Sequence, residues 1–233
     1  MFDEINEVHI DPNGYQHRWI DGAPMNMPVG KVVCVGRNYA DHAKELGNDV
    51  PDAPILFMKP ATALTSLHEP IVLPEGQGPV HHEVEMVVLI GKRLCKETRL
   101  DHVRFSVAAY SIGLDLTLRE VQNQLKEKGH PWERAKAFDG AAPVSGFIDA
   151  RGISVRQSLN LSLDINEKIR QDGSTADMLF PTFELLSEIS QTFTLEPGDV
   201  VFTGTPAGVG PLNSGDKFTA RLGNIIQVFG SVA

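Results

Sequence analysis

The sequence predicts one β-rich α+β domain, and three observations support this prediction. Most apolar residues fall in short runs of about four to eight, some with the alternation of a half-buried strand. Helix boundary signals are confined to a few segments. The 233 residues, 42% of them hydrophobic, contain no repeat, low-complexity tract or linker, so a single core of ordinary size suffices.

A short N-terminal hairpin leader is predicted for residues 1–30, ahead of a catalytic domain at 31–233. Residues 8–10 and 16–20 would form its two strands, with the turn-forming residues 11–14 between them. The residues that could carry chemistry all lie beyond this leader.

The catalytic domain is predicted to contain short strands separated by three helices. Gly47 and Gly129 would end the first two helices, Thr117 and Glu120 have the spacing of a capping box, and Pro181 would open the third helix. The predicted helices are 40–46, 118–128 and 182–193. The predicted strands are 32–35, 55–58, 70–73, 84–90, 108–116, 159–165 (followed by a tight turn at 166–167), 199–203, 217–222 and 225–229.

The charge distribution argues against a nucleic-acid partner. The formal net charge is −9, and no run of lysine or arginine could form the basic face that displaces counterions. An anionic substrate would therefore have to be held by a few local cations, for which the candidates are Arg37, Lys59, Arg119 and Lys136.

The sequence also argues against a membrane protein. No stretch approaches the roughly 20 apolar residues of a spanning helix, and the first residues lack a signal-peptide pattern. Cys34 and Cys95 are too few for a disulfide framework, which favours a reducing compartment. A cytoplasmic protein is expected.

Three acidic residues stand where strands should enter the core. Side chains alternate along a strand, so Glu83 and Glu85 should point the same way, and Asp115 interrupts an apolar run. A buried carboxylate without a partner is costly, and a hard divalent cation would satisfy all three at once. The alternative is a solvated edge strand with Asp115 as a turn residue.

His42 and Glu45 are three residues apart on the first predicted helix and therefore share a face. A carboxylate beside an imidazole can orient it as a general base. The alternative is the polar face of a surface helix.

The second helix continues the pattern that begins at Asp115. Arg119 and Gln122 follow at i+4 and i+7, nearly on one stripe, where they could orient a small carboxylate or keto acid. Lys126 and Lys128 are expected only to solvate the helix.

Lys136 lies among small and apolar residues, an unusual setting for a solvated lysine. It could bind a carboxylate or polarise a carbonyl group, and the alternative is a surface lysine that lies along an apolar patch.

The glycine-rich segment 203–211 does not have the features of a phosphate-binding loop. It contains no lysine and leads into a proline and a turn instead of a helix. Its backbone amides and hydroxyl groups are expected to line a small pocket at the end of a strand.

Together these motifs resemble the fumarylacetoacetate hydrolase family, and in particular its small single-domain acylpyruvase-like members. The motifs occur in family order from about residue 31 onward, and five in register are highly specific although each alone is weak. They are GRNYADH at 36–42, HEVE at 82–85, LD at 114–115 with Arg119 and Gln122, AKAF at 135–138 and TGTPAGVG at 203–210.

The resemblance implies a mixed β-sandwich roll that assembles as a homodimer. It implies Mg²⁺ or Mn²⁺ held by Glu83, Glu85 and Asp115. It also implies that His42 and Glu45 form a water-activating pair on a mobile lid.

The substrate implied by the resemblance is a small anionic keto acid. With the stripe on the second helix included, the residues expected to hold it are Arg37, Arg119, Gln122, Lys136, Gly204 and Thr205. The chain departs from the larger family members at Val35, where they have a further aspartate ligand, so water is expected to complete the metal shell. The leader is also too short to replace their N-terminal domain.

Hydrolysis of a C–C bond in acylpyruvates, such as fumarylpyruvate or acetylpyruvate, is the favoured function because both members of the His42–Glu45 pair are present. The alternative is a decarboxylase or keto–enol isomerase of oxaloacetate-like or 2-hydroxyhepta-2,4-diene-1,7-dioate-type diacids. Several of these substrates would place the enzyme in aromatic catabolism. A more remote alternative is a non-catalytic metal-binding scaffold.

Overall fold

The computed structural model of the protein describes residues 14–153 and 158–233, and within these ranges β-strands dominate. This confirms the predicted β-rich α+β class. The strands, numbered in chain order, are β1 (Val32–Gly36), β2 (Ile55–Lys59), β3 (Leu64–Ser66), β4 (Val80–His82), β5 (Val84–Ile90), β6 (Val107–Leu114), β7 (Thr117–Leu118), β8 (Ala142–Val144), β9 (Ile148–Asp149), β10 (Asn160–Ile165), β11 (Lys168–Ser174), β12 (Val200–Phe202), β13 (Gly210–Pro211), β14 (Lys217–Leu222) and β15 (Ile226–Ser231).

The helices are short and lie around the strands. They are α1 (Ala40–Glu45), α2 (Leu100–Ser106), α3 (Arg119–Glu127), α4 (Glu133–Lys136) and α5 (Thr182–Thr192). Of these, α2 and α4 were not predicted. No helix in the described part of the chain has the length and apolar character needed to cross a bilayer.

The central sheet has the order β2-β1-β12-β5-β6-β8-β3, with β9 paired to β6. It is a mixed sheet, because β1 with β12 and β3 with β8 are parallel while the other pairs are antiparallel. Every residue of β5 is buried, as expected for a strand that is covered on both faces. This strand and its neighbour β6 carry the acidic residues toward the middle of the molecule.

A second sheet, of order β11-β10-β14-β15, packs on β5 and β6 and completes the predicted sandwich. Its inward side chains, among them Leu161, Leu163, Phe218 and Leu222, share one apolar core with Val84, Met86 and Ile112 of the central sheet. The tight turn between β10 and β11 is confirmed. Asn166 and Glu167 both have positive φ, as a two-residue hairpin turn requires.

The described part of the N-terminal leader covers the other face of the central sheet. Tyr15 and Met25 lie in a second apolar core with Val32, Val87 and Phe202. The predicted hairpin is wrong for residues 16–20, which form only isolated bridges, because their backbone groups bond to a local turn and to Phe147 instead of a second strand. The first predicted strand, at 8–10, lies outside the described residues.

Two further local predictions are wrong. Residues 70–73 form only an isolated bridge at Ile71, since Pro70 and Pro74 cannot donate to a ladder. The capping box of α3 is absent because Thr117 belongs to β7, and its hydroxyl group donates to the carbonyl oxygen of Asp115.

Candidate active site

A cleft lies where β5 begins and β6 ends, and most of the predicted site residues line it. Its wall includes residues of α1, α3, α4 and the segment after β12. The lining residues are Val35, Gly36, Arg37, His42, Leu46, Asn48, Phe57, Glu83, Glu85, Asp115, Arg119, Gln122, Lys126, Trp132, Lys136 and Thr205.

The three acidic residues meet because β5 and β6 are paired. Glu85 lies opposite Gly113 in the ladder, and the N–H of Asp115 donates to the carbonyl oxygen of Glu83 at 2.8 Å. One carboxylate oxygen from each acid falls within 4.8 Å of the others. The exposed fractions of Glu83, Glu85 and Asp115 are 4%, 1% and 0%, so the solvated edge-strand alternative is wrong.

Buried cations neutralise two of the three acids. The ammonium group of Lys136 lies 2.8 Å from Glu83 Oε2 and 2.7 Å from Asp115 Oδ2. The ammonium group of Lys59 lies 2.7 Å from Asp115 Oδ1, and Arg119 forms an ion pair with Glu83. Lys136 is therefore a buried member of the cluster and not a surface lysine.

Among the residues that the structure describes, Glu85 is the acid of the cluster that forms no ion pair with a cation. It accepts a hydrogen bond of 2.6 Å from the N–H of Gly204, but burial and the negative charges of Asp115 and Glu83 raise the pKa of its carboxyl group well above the ordinary value. At Glu83 burial acts in the same direction, yet Lys136 and Arg119 outweigh it and lower the pKa. The cluster thus still needs positive charge beside Glu85.

A divalent metal ion fits this need. The donors are three buried carboxylates, the oxygen ligands that Mg²⁺ and Mn²⁺ prefer, and they converge within coordination reach of one ion. Glu83, Glu85 and Asp115 are the residues that could hold it.

His42 and Glu45 face each other on α1, as their spacing predicts. His42 Nδ1 lies 3.5 Å from Glu45 Oε2, and the N–H of Gly208 donates to both carboxylate oxygens at 3.0 and 3.1 Å. Burial lowers the pKa of His42, although the charge of Glu83 opposes this effect. The imidazole is therefore neutral near pH 7, and it lines the cleft beside the acids.

In the segment after β12, the hydrogen bonds of Thr205 and Gly204 mainly hold the start of β5 in place. The hydroxyl group of Thr205 donates to the carbonyl oxygen of Val84 at 2.9 Å and accepts from Gln171 at 2.7 Å. Gly204 has φ +98°, and a Cβ atom there would lie 2.6 Å from that of Asn38. Thr205 lines the cleft, whereas the N–H of Gly204 is committed to Glu85.

Lys126 was expected to solvate its helix, and that expectation is wrong. The residue is half-buried and lines the cleft, with its ammonium group 5.3 Å from the centroid of the Trp132 ring. Burial and the nearby charges of Arg119 and Arg37 lower the pKa of Lys126 to about 8. The sequence contains a signal for this position, since Lys126 follows Gln122 at i+4 on the stripe already assigned to the site. Trp132 and Phe57 carry no comparable signal.

Residues 31–233 match the sequence model of the fumarylacetoacetate (FAA) hydrolase C-terminal family. The fold and the acidic cluster are consistent with this match, and the chain belongs to the fumarylacetoacetate hydrolase family. It is an enzyme of that family, which removes the scaffold alternative.

The chain is also similar to individual proteins of known name or structure. The chain is 53% identical over 206 residues to the oxaloacetate tautomerase YcgM of Escherichia coli K12, covering 88% of this chain and 94% of that protein. A fumarylacetoacetate hydrolase family protein from Yersinia pestis CO92 superposes with a TM-score of 0.91 at 48% identity, covering 94% of this chain and all of the other. The fumarylpyruvate hydrolase of Pseudomonas aeruginosa, solved with Mn²⁺ and pyruvate, gives a TM-score of 0.89 at 33% identity, with 97% and 98% of the two chains covered.

Proposed function

We propose that this enzyme is a divalent-metal-dependent keto–enol tautomerase of oxaloacetate. The observation that carries the proposal is the convergence of a neutral buried histidine, a buried lysine and the three-carboxylate cluster in one cleft. The high identity to an oxaloacetate tautomerase supports the same function. The isomerase alternative is thus better supported than the acylpyruvate hydrolysis that the sequence favoured.

Tautomerisation requires only a few chemical groups from the protein. Conversion of enol to keto oxaloacetate moves one proton from the O2 hydroxyl group to C3, so one group that accepts a proton and returns it is sufficient. A neutral imidazole is suited to this role. Because His42 Nδ1 is turned toward Glu45, Nε2 is the nitrogen that we assign to the proton transfer.

The other charges stabilise the oxygen that becomes negative during the transfer. Burial lowers the pKa of Lys136, but Asp115 and Glu83 outweigh that effect and raise it, so its ammonium group stays charged beside the cluster. It can donate a hydrogen bond to O2, while Arg119 and Gln122, which are bonded to each other at 2.7 Å, present donors to the neighbouring carboxylate. A divalent ion on Glu83, Glu85 and Asp115 would supply Lewis-acid charge next to the 2-oxo group.

Acylpyruvate hydrolysis is the second candidate, and the His42–Glu45 pair is the observation that favours it. The similarity to a fumarylpyruvate hydrolase is consistent with this activity. Against it, the 3.5 Å separation in the pair is too long for a good hydrogen bond, and a histidine of lowered pKa is a weaker base toward water.

The test is a direct comparison of the two reactions. Enol oxaloacetate is diluted from an aprotic solvent into buffer with Mg²⁺, and loss of its ultraviolet absorbance is followed with and without enzyme. Release of pyruvate from acetylpyruvate is measured on the same preparation. We expect catalysed ketonisation well above the buffer rate and slow hydrolysis. Efficient hydrolysis without catalysed ketonisation would reverse the assignment.

Several companion properties stay predictions. We propose Mg²⁺ or Mn²⁺ as the metal, a small anionic keto acid as the ligand, a homodimer as the working assembly and the cytoplasm as the location. The predicted place in aromatic catabolism has no support from the relatives described above, and oxaloacetate as substrate does not require it.

A further inference from the structure

The cleft contains two cations that the acidic cluster does not use. The buried cations Lys59, Arg119 and Lys136 each form an ion pair with Glu83 or Asp115. Arg37 and Lys126 line the same cleft, and within residues 14–153 and 158–233 neither forms an ion pair with a carboxylate.

Two features of Arg37 in the cleft wall, its backbone conformation and its buried Nε atom, are energetically unfavourable. Its φ of +59° lies in the left-handed region, which residues other than glycine rarely adopt. Its Nε atom is buried without a hydrogen-bond partner among the described residues. An unpaired buried donor of this kind is unfavourable, so the position favours an acceptor supplied from outside the chain.

Lys126 is placed close enough to Arg37 for the two charges to interact. Its stem lies in the wall, and its ammonium group is over the face of Trp132, which fixes its position without neutralising its charge. Lys128, two residues further along, is exposed and does not line the cleft. The two cations at the cleft wall are therefore Lys126, on the face of α3 that lines the cleft, and Arg37, which directly follows β1.

We propose that Arg37 and Lys126 form a subsite for the second carboxylate of a dicarboxylic 2-oxo acid. The first carboxylate and the 2-oxo group belong beside Lys136 and the acidic cluster, as the proposed function requires, and this inference rests on that function. The two wall cations then supply the charge that distinguishes a dianion from a monocarboxylate such as pyruvate. They make the site selective for dicarboxylates.

The test measures binding instead of turnover. Mn²⁺-loaded protein is titrated in a calorimeter with 3,3-difluorooxaloacetate, a dicarboxylate that cannot enolise, and with pyruvate. Lys126→Met and Arg37→Gln should each weaken binding of the dicarboxylate by roughly 10- to 100-fold, the usual value of a charge-assisted hydrogen bond. Binding of pyruvate should change by less than about 3-fold in the same variants, since it lacks the second carboxylate.

The matched control is Lys128→Met, which should bind both ligands like the wild type. Lys126→Arg should restore most of the preference, and it keeps the test valid if Lys126→Met fails to fold. Equal losses for the two ligands, no loss for either, or a wild type that binds the dicarboxylate no more tightly than pyruvate would each overturn the subsite.

Failure of the subsite and failure of the proposed function give different results. A protein that loses dicarboxylate binding in both variants but does not ketonise oxaloacetate keeps the subsite and loses the tautomerase assignment. An active tautomerase whose variants keep the full dicarboxylate preference loses the subsite alone.

Discussion

At the scale of single residues, Lys59 shows how a buried charge can be made tolerable. Its side chain is fully buried, with the ammonium group 2.7 Å from Asp115 Oδ1. The same group donates to the carbonyl oxygens of Ala141 at 2.8 Å and Leu116 at 3.3 Å, and to that of Lys136. It thereby fixes the carboxylate of Asp115 and ties together the chain segments that surround it.

Replacing Lys59 by methionine should leave Asp115 with a buried and only partly compensated charge. We expect the free energy of unfolding to fall by about 3 to 5 kcal/mol, the usual result of removing one partner of a buried ion pair. Urea denaturation measures the effect, and Lys92→Met, at an exposed lysine, is the control. A loss below about 1 kcal/mol would show that water or a rearranged side chain compensates Asp115.

Replacement of Glu85, unlike that of Lys59, should impair metal binding without lowering stability. Glu85→Gln removes the one unneutralised carboxylate of the cluster but keeps an acceptor for the N–H of Gly204. In the presence of a chelator, the melting temperature should be equal to that of the wild type or higher. The increase that Mg²⁺ gives the wild type should be absent in the variant, because binding to the native state stabilises it. Thermal melts with and without Mg²⁺ test this, and an equal increase in both proteins would remove Glu85 from the metal site.

At the scale of elements, α3 separates what the sequence predicts from what it does not. The existence of the helix follows from boundary residues, and its end at Gly129, which has φ +64°, follows from glycine chemistry. The common stripe of Arg119 and Gln122 follows from helical periodicity. The predicted capping box does not form because Thr117 pairs with a residue of β4. A pairing between segments distant in the chain cannot be recognised from the local sequence pattern. Lys126 was missed although it continues the stripe, because charge alone suggested solvent.

The pair on α1 gives a prediction at this scale. His42→Ala should slow ketonisation of enol oxaloacetate by roughly 10² to 10⁴, the value of a positioned acid–base group. Glu45→Gln should have a milder effect, because the imidazole remains and one amide oxygen can still accept from Gly208. The rates of both variants are measured at saturating Mg²⁺, with Asp41→Asn, an exposed position on the same helix, as the control. An unimpaired His42→Ala variant would move the proton transfer to another group.

At the scale of the whole molecule, the central sheet has an apolar core on each face. The sandwich side follows from the strand pattern in the sequence. The other side depends on residues 14–30, whose irregular backbone carries no periodic signal, so its role could not be predicted. His17 is buried there between the rings of Tyr15 and Phe147, with its Nε2 atom 3.1 Å from the carbonyl oxygen of Gly198.

This buried histidine should make stability depend on pH. Burial lowers the pKa of His17 from 6.5 to about 4, despite the opposing effect of the Gly198 carbonyl, so the folded state favours the neutral ring. Its stabilising contribution is complete above pH 6.5 and is lost as the pH falls toward 4, since the unfolded chain then binds the proton more readily. The loss reaches roughly 3 kcal/mol.

The measurement is the difference in free energy of unfolding between wild type and His17→Gln from pH 7.5 to 4, which should shrink in that window. Since other buried histidines titrate equally in both proteins, the difference isolates His17. His68→Gln, at an exposed histidine, should show no such trend. A constant difference across the range would mean that His17 stays solvated or finds an acceptor when protonated.

The pairing of β5 with β12 has a consequence for how the enzyme is made. Leu89 and Val200 are partners in the ladder although more than one hundred residues separate them in the chain. At about 5 to 20 residues added per second, a ribosome leaves β5 without this neighbour for at least about five seconds. During that time Glu85 also lacks the N–H donor of Gly204, which follows β12, so no fragment that ends before β12 can complete the surroundings of the acidic cluster.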